Sequence, residues 1–146
     1  MLALSDRLSN IVRVVITNRR AARRIPLNIP VRFAIVRNTK TCRTQRSRSV
    51  SAYTSDLSRT GLSLETSLIQ VDSFHVSLSA DMSSEQLLEI VLELPEREIV
   101  FYGLPLRYER KRLRHGNYLV GVKITSMSDD DRVAYESFLK SIEKRH

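Results

Sequence analysis

Four arginines stand within six residues at Arg19, Arg20, Arg23 and Arg24, and thirty-two residues beyond the last of them lies the hexapeptide Asp56, Leu57, Ser58, Arg59, Thr60, Gly61. The two pieces suit different parts of one ligand type. Guanidinium forks grip phosphate oxygens in pairs and lie flat on aromatic rings, which an ammonium cannot do. A carboxylate such as Asp56 accepts the ring NH and amino protons of guanine, and a hydroxyl such as Ser58 suits the edge of a purine. Phosphate and purine together describe a nucleotide.

The hexapeptide also has a purely local reading. Asp56 and Ser58 can bond nearby backbone amides, and Gly61 can take positive φ without a Cβ clash, so Asp, Ser and Gly at these positions would make a bend between two strands. That reading leaves unexplained why an arginine pair should precede the strand leading to the bend.

RxxxR followed by DxSxxG resembles the PilZ domain, the bacterial receptor domain for cyclic di-GMP. The run Arg24-Ile25-Pro26-Leu27 and then Ile29-Pro30-Val31-Arg32-Phe33 resembles the family's approach to its first barrel strand. That alignment makes Arg20 and Arg24 the motif pair, with Arg19 and Arg23 one step out of register. Tyr118-Leu119-Val120-Gly121-Val122-Lys123-Ile124 followed by Ser128, Asp129, Asp130 and Asp131 resembles the family's last strand and closing helix, so the likeness covers roughly residues 19 to 142.

What the resemblance implies is a receptor for cyclic di-GMP, with Arg19, Arg20, Arg23, Arg24, Asp56, Ser58 and Gly61 as ligand contacts. Arg20 and Arg24 would grip phosphates and stack on guanine. Asp56 and Ser58 would bond the base, and Gly61 would keep the turn close. Arg19 or Arg23 could add the stacking that an intercalated ligand dimer needs. The segment around Arg20 to Arg24 is expected to be a mobile latch that the ligand draws across the barrel, reorienting the N-terminal helix against the barrel or a protein partner. The resemblance also admits a degenerate module that binds protein and no nucleotide. A sequence-tolerant RNA or DNA binder would use the same basic region with Arg43, Arg46 and Arg48, although only Phe33 and Tyr53 offer rings for base stacking there.

The elements that must position these residues read as mainly β: a small antiparallel barrel of about six strands with an N-terminal helix and a C-terminal capping helix. Val31, Phe33 and Ile35 alternate with Arg32, Ala34 and Val36 as in a half-buried strand. A second strand ends near Asp56 and a third begins at Leu62 and Leu64. Leu88, Ile90, Leu92 and Leu94 form a fourth, followed by strands over 99–108 and 117–125, and several short antiparallel strands point to a closed barrel. Val76 and Leu78 add a short strand within the long stretch 67–86, and 37–52 is expected to be the second long loop. Ser128 is a natural N-cap with Asp131 at capping-box spacing, three aspartates meet the helix dipole, and Ala134, Phe138, Leu139 and Ile142 share the covering face. Adjacent helical aspartates diverge, which argues against a metal site.

Residues 1–18 form the N-terminal segment, and 19–146 the domain proper. Leu4, Leu8, Ile11 and Val15 fall on one helical face and are the candidates for packing on the barrel or for a homodimer, with association to a membrane surface as the alternative. The apolar run here is too short to span a bilayer and is broken by Arg13, and no signal-peptide cleavage site follows it.

The 146 residues carry a formal net charge of +8 and are 42% hydrophobic, an ordinary balance for one globular domain. Residues 1–55 hold twelve Arg or Lys against one acid, Asp6, a net of +11, and the remainder nets −3. Such a field captures anions without distinguishing among them. Cys42 is the single cysteine, so no intramolecular disulfide framework exists and a reducing cytoplasm fits. His75, His115 and His146 lack metal-ligand spacing, and with four glycines the chain has no Walker loop, dinucleotide fingerprint or nucleophile elbow. An enzyme is not expected, nor a cofactor.

Overall fold

The computed structural model describes residues 23–38, 44–76 and 85–144. The N-terminal helix expected over 1–18 lies outside the described residues, as do Arg19 and Arg20. The strands run β1 Ile25–Pro26, β2 Pro30–Asn38, β3 Thr44–Arg46, β4 Val50–Leu57, β5 Gly61–Thr66, β6 Gln70–Val71, β7 Phe74–His75, β8 Glu85–Glu93, β9 Glu98–Arg110 and β10 Tyr118–Met127, followed by the helix α1, Asp129–Glu143.

All pairings are antiparallel. The sheet order is β1-β4-β5-β10-β9-β8-β2-β3, and β4 also pairs with β2, which closes β4, β5, β10, β9, β8 and β2 into a six-stranded barrel. Closure leaves no barrel strand with an open edge, and the inward set is apolar apart from Thr54 and Thr66: Val31, Phe33, Ile35, Leu57, Leu62, Leu64, Leu88, Ile90, Leu92, Ile99 and Phe101 are all essentially inaccessible. The six expected strands are thus present.

The two long stretches are shorter on irregular chain than the sequence suggested. β3 pairs back onto the end of β2, and β6 and β7 make a small hairpin whose turn places Asp72 in the left-handed region at φ 57°. Asp tolerates that region because its short side chain meets little and can bond locally. Val76 follows β7 without joining a strand, and Leu78 lies outside the described residues.

Ser128 caps α1, its hydroxyl accepting from the Asp131 amide at 3.2 Å. The other half of the expected capping box does not form. The Asp131 carboxylate instead pairs with the Arg97 guanidinium and accepts from the Val100 amide at 3.1 Å, so it fastens the helix start to the approach to β9 and its first residues. Tyr135, Leu139 and Ile142 are the buried residues of the helix, with Ala134 and Phe138 half-buried beside them.

Tyr135, a residue outside the expected covering face, is fully buried, and its hydroxyl donates to the Ser58 carbonyl at 2.6 Å. Burial pushes the phenol above its ordinary pKa, so it remains a neutral donor. Arg132 adds a bond to the Arg59 carbonyl at 2.9 Å, and Arg59 faces Glu136 at 3.6 Å. The helix therefore grips the bend after β4 directly. Tyr135→Phe orphans the Ser58 carbonyl in the interior, which costs about 1–2 kcal/mol. For a chain of this size we expect the melting temperature to fall by roughly 3–6 °C in a calorimetric scan, and an unchanged value would show that the hydroxyl is not holding the bend.

Candidate functional site

The bend is built from its own side chains. Ser58 is 3% exposed. Its hydroxyl donates to the Gly61 carbonyl at 3.1 Å and lies within bonding distance of the Gly61 amide at 3.1 Å and the Thr60 amide at 3.3 Å, while its own amide donates to the Gly61 carbonyl at 2.9 Å. The hydroxyl is thus engaged within the turn. Gly61 is needed for a reason other than the positive φ expected of it: its φ is not positive, but a Cβ there would come within 2.4 Å of the Val122 carbonyl oxygen on β10. Close strand approach selects the glycine.

Asp56 owes its direction to an irregularity in β4. Tyr53 pairs with Glu65 and Thr54 with Leu64, after which the register shifts, so that Asp56 pairs with Ser63 and Leu57 with Leu62. Ser55 is the extra residue. Because side chains alternate faces, an unshifted strand would set Asp56 opposite Leu62, on the core face; the bulge turns it outward and Leu57 inward.

Arg24 is brought to the same place from the other side. β1 lies antiparallel on β4 with Ile25 opposite Leu57 and Pro26 opposite Asp56. Thr54, fully buried, locks the next residues: its hydroxyl accepts from the Ile29 amide at 2.8 Å and donates to the Leu27 carbonyl at 2.5 Å, and the Asn28 side-chain amide donates to the Thr54 carbonyl at 2.6 Å. The Arg24 guanidinium consequently meets the Asp56 carboxylate at 2.7 Å and the Ser63 hydroxyl at 3.4 Å. Both partners are open to solvent, Arg24 at 54% and Asp56 at 26% side-chain exposure.

Of the seven expected site residues, the structure joins Arg24 with Asp56 in one contact, places Ser58 and Gly61 in the adjoining bend and leaves Arg23 exposed at the start of the described chain. Arg19 and Arg20 fall outside the described residues. Immediately downstream of the expected latch, from Ile25 onward, the chain is strand-paired and tied to Thr54.

Sequence reasoning missed Ser63, whose alternation with the core residues Leu62 and Leu64 on the strand opposite Asp56 was the available signal. It also missed the stack of Tyr53 on His115, with ring centroids 4.0 Å apart, two register rows from Asp56. In that row Glu65, the register partner of Tyr53, is 5% exposed and accepts from the His115 amide at 3.1 Å and the Asn28 side chain at 3.3 Å.

The basic residues also sort differently from the sequence count. Arg46 pairs with Glu89 at 2.6 Å, and Arg48 faces Asp72 at 3.4 Å. Arg32 lies between Glu93 and Glu98, and the hydrogen bonds it donates to the Glu98 carboxylate raise its pKa further. Arg43 is outside the described residues. Among the described residues no group of three or more His, Cys, Asp or Glu could hold a metal ion, and no helix is long and apolar enough to cross a membrane.

The chain thus carries an outward carboxylate held against an arginine beside a buried Ser-Gly bend, on the flank of a closed six-stranded barrel with a C-terminal helix. The family model for the PilZ domain matches residues 18–141. The chain belongs to the PilZ domain family. No curated protein matches it in sequence. Among solved structures, this PilZ domain is similar to the Bacillus subtilis inhibitor of motility MotI/DgrA, with a TM-score of 0.58 and 14% identity over 87% of this chain and 52% of that one. It is similar to the PilZ domain of CeSA from a cellulose-synthesizing bacterium, with a TM-score of 0.50 and 20% identity over 83% of this chain and 98% of that one. It also resembles MrkH, described as a c-di-GMP-dependent transcription regulatory factor, with a TM-score of 0.53 and 16% identity over 86% of this chain and 51% of that one. At such identities the likeness is one of fold, and the chain spans about half the length of two of the three.

The Thr54 lock has a measurable consequence. Thr54→Val keeps the shape but strands the buried Ile29 amide, at a cost of about 1–3 kcal/mol. We expect a lower denaturation midpoint and, by two-dimensional NMR, shifted amides at Arg24, Ile25 and Asp56. Unperturbed amides there would show that β1 is held by something else.

Proposed function

We propose that this PilZ domain binds cyclic di-GMP on the outer face of β4 and β5, with Arg24 and Asp56 as the described centre of the site. The observation that carries the reading is that one guanidinium is bonded at once to the Asp56 carboxylate and the Ser63 hydroxyl, both facing out of the barrel. A phosphate-gripping fork and a guanine-reading carboxylate are thus already adjacent.

The chemistry permits exchange. An exposed ion pair contributes about 0–1 kcal/mol, so a ligand that offers Arg24 a phosphate and Asp56 a guanine edge loses little in separating them. Among the described residues Arg24 bonds through Nη1, and the donors on its other nitrogens can take phosphate oxygens. Arg20, four residues upstream, supplies the second motif fork, and Arg19 and Arg23 the further stacking. Ser58 and Gly61 set the height of the bend through their mutual bonds.

The ligand-ordered part of the latch then lies upstream of Ile25, and its ordering alters how the N-terminal segment meets the barrel, a downstream protein or a second copy through Leu4, Leu8, Ile11 and Val15. The role is that of a cytoplasmic signal receptor, not an enzyme. The similarity in fold to a c-di-GMP-dependent regulator supports it.

Sequence-tolerant nucleic-acid binding has one observation in its favour. Arg107, Arg110, Lys111, Arg112 and Arg114 crowd the β9–β10 hairpin and its approach, with no ion pair to any of them among the described residues.

Titration calorimetry separates the readings. Arg24→Ala should weaken cyclic di-GMP binding more than ten-fold with the melting temperature nearly unchanged, because a charge-assisted bidentate contact contributes about 1.5–3 kcal/mol. Asp56→Ala should reduce affinity for cyclic di-GMP more than for cyclic di-AMP, since adenine lacks the paired donor edge. Raising salt from about 50 to 200 mM should cost roughly ten-fold, whereas a protein neutralising six or more phosphates of RNA loses on the order of a thousand-fold. Steeply salt-dependent RNA binding without cyclic di-GMP binding would establish the second reading.

A further inference from the structure

The outward row that contains Asp56 does not stop at Ser63. Ser63 pairs with Gly121 on β10, and Gly121 pairs with Arg107 on β9. Four strands thus present Asp56, Ser63, Gly121 and Arg107 in register on one face. Val120 and Val122, the neighbours of Gly121, point into the core at 1% and 4% exposure, which fixes the glycine's Cα hydrogen toward the outside.

The Arg107 side chain lies across that glycine. A Cβ built on Gly121 would stand 3.3 Å from Arg107 Cγ and 3.4 Å from its Nε. Arg24 sits over Ser63 on the neighbouring strand, where Nη1 meets Oγ at 3.4 Å. Adjacent strands are about 4.8 Å apart, so two guanidinium groups rest over neighbouring strands on a floor that Ser63 and Gly121 keep low.

Their charge is not balanced. Asp56 pairs with Arg24, while Arg107 is exposed and makes no ion pair among the described residues. The ionisable groups next along the face are Glu109 beside Arg107 on β9, Glu65 on β5, whose carboxylate is engaged by Asn28 and His115, and Lys123 on β10. Elsewhere on the barrel Arg32, Arg46 and Arg97 each have a carboxylate.

We propose that Arg107 is a further ligand-binding residue of this site, the wall opposite Arg24, which takes a phosphate or stacks on a guanine of the dinucleotide whose other side meets Arg24 and Asp56. The assignment rests on the cyclic di-GMP reading. It adds a determinant that lies outside both sequence motifs, more than forty residues past the second, and that reaches the site only through barrel closure. Gly121 belongs to it as the position that leaves Arg107 room to lie flat.

The test is calorimetry with cyclic di-GMP on the full chain and on Arg107→Ala, Arg107→Lys and Arg110→Ala, each with its melting temperature. Arg107→Ala should lower affinity at least ten-fold without changing the melting temperature. Arg107→Lys should recover only part of the loss, since an ammonium neither forks nor stacks. Arg110→Ala, which removes the same charge from the same strand outside this row, should stay within two-fold. Wild-type binding with Arg107→Ala equal to it, or with Arg110→Ala equally damaging, would overturn the assignment and leave the receptor reading standing. No wild-type binding would remove the reading and the assignment together.

Discussion

One extra residue in β4 determines what the site can be. The register shift between Thr54 and Asp56 reverses the faces of the strand's last residues, so a carboxylate that would face Leu62 in the core is presented to solvent beside Ser63. A buried, unpaired carboxylate is far too costly to survive there, so the bulge is what makes the sequence compatible with the barrel at all. The same shift sends Leu57 inward, where it is fully buried and opposite Ile25 of β1. Arg24, the residue before Ile25, arrives at Asp56 as a consequence. The Thr54 hydroxyl at the bulge ties down Leu27 and Ile29, so packing and charge placement are set by one local network.

That network is continuous with the other end of the chain. The bend following β4 carries the Ser58 carbonyl to Tyr135 and the Arg59 carbonyl to Arg132, so the face that carries Asp56 and the helix that caps the barrel share a bend of four residues. Close packing transmits displacement in such an arrangement more readily than a solvated loop would. The described chain begins at Arg23 on this same flank, where β1 lies against Leu57 and Asp56.

The barrel was legible in the sequence because its strands alternate strictly: Leu88, Ile90 and Leu92, or Val120, Val122 and Ile124, leave little choice of period or face. The C-terminal helix was legible from Ser128 and its aspartates, but Tyr135 was not, because a tyrosine's polar tip hides its burial until a partner such as the Ser58 carbonyl is seen. The motif residues Arg24 and Asp56 could be named from the resemblance to the family's motifs. The bulge that orients Asp56 could not, since it depends on pairing with β5. Gly61 was correctly singled out for the wrong physical reason: the constraint is the Val122 carbonyl on β10, a contact some sixty residues away in sequence. Counting charge by segment likewise concealed the arginines near residue 110 that have no ion pair among the described residues, because acids elsewhere in the same two-thirds of the chain cancel them on paper and not in space.

The account stands on the outward face of β4, β5 and β10 being where the ligand sits, and amide chemical-shift mapping during titration with cyclic di-GMP reads that most directly. The account predicts that perturbations concentrate at Arg24, Asp56, Ser63, Gly121 and Arg107, with a weaker response at Tyr135 through the bend. Perturbations confined to the opposite flank around Arg46, Glu89 and Tyr102, or none at saturating ligand, would contradict it.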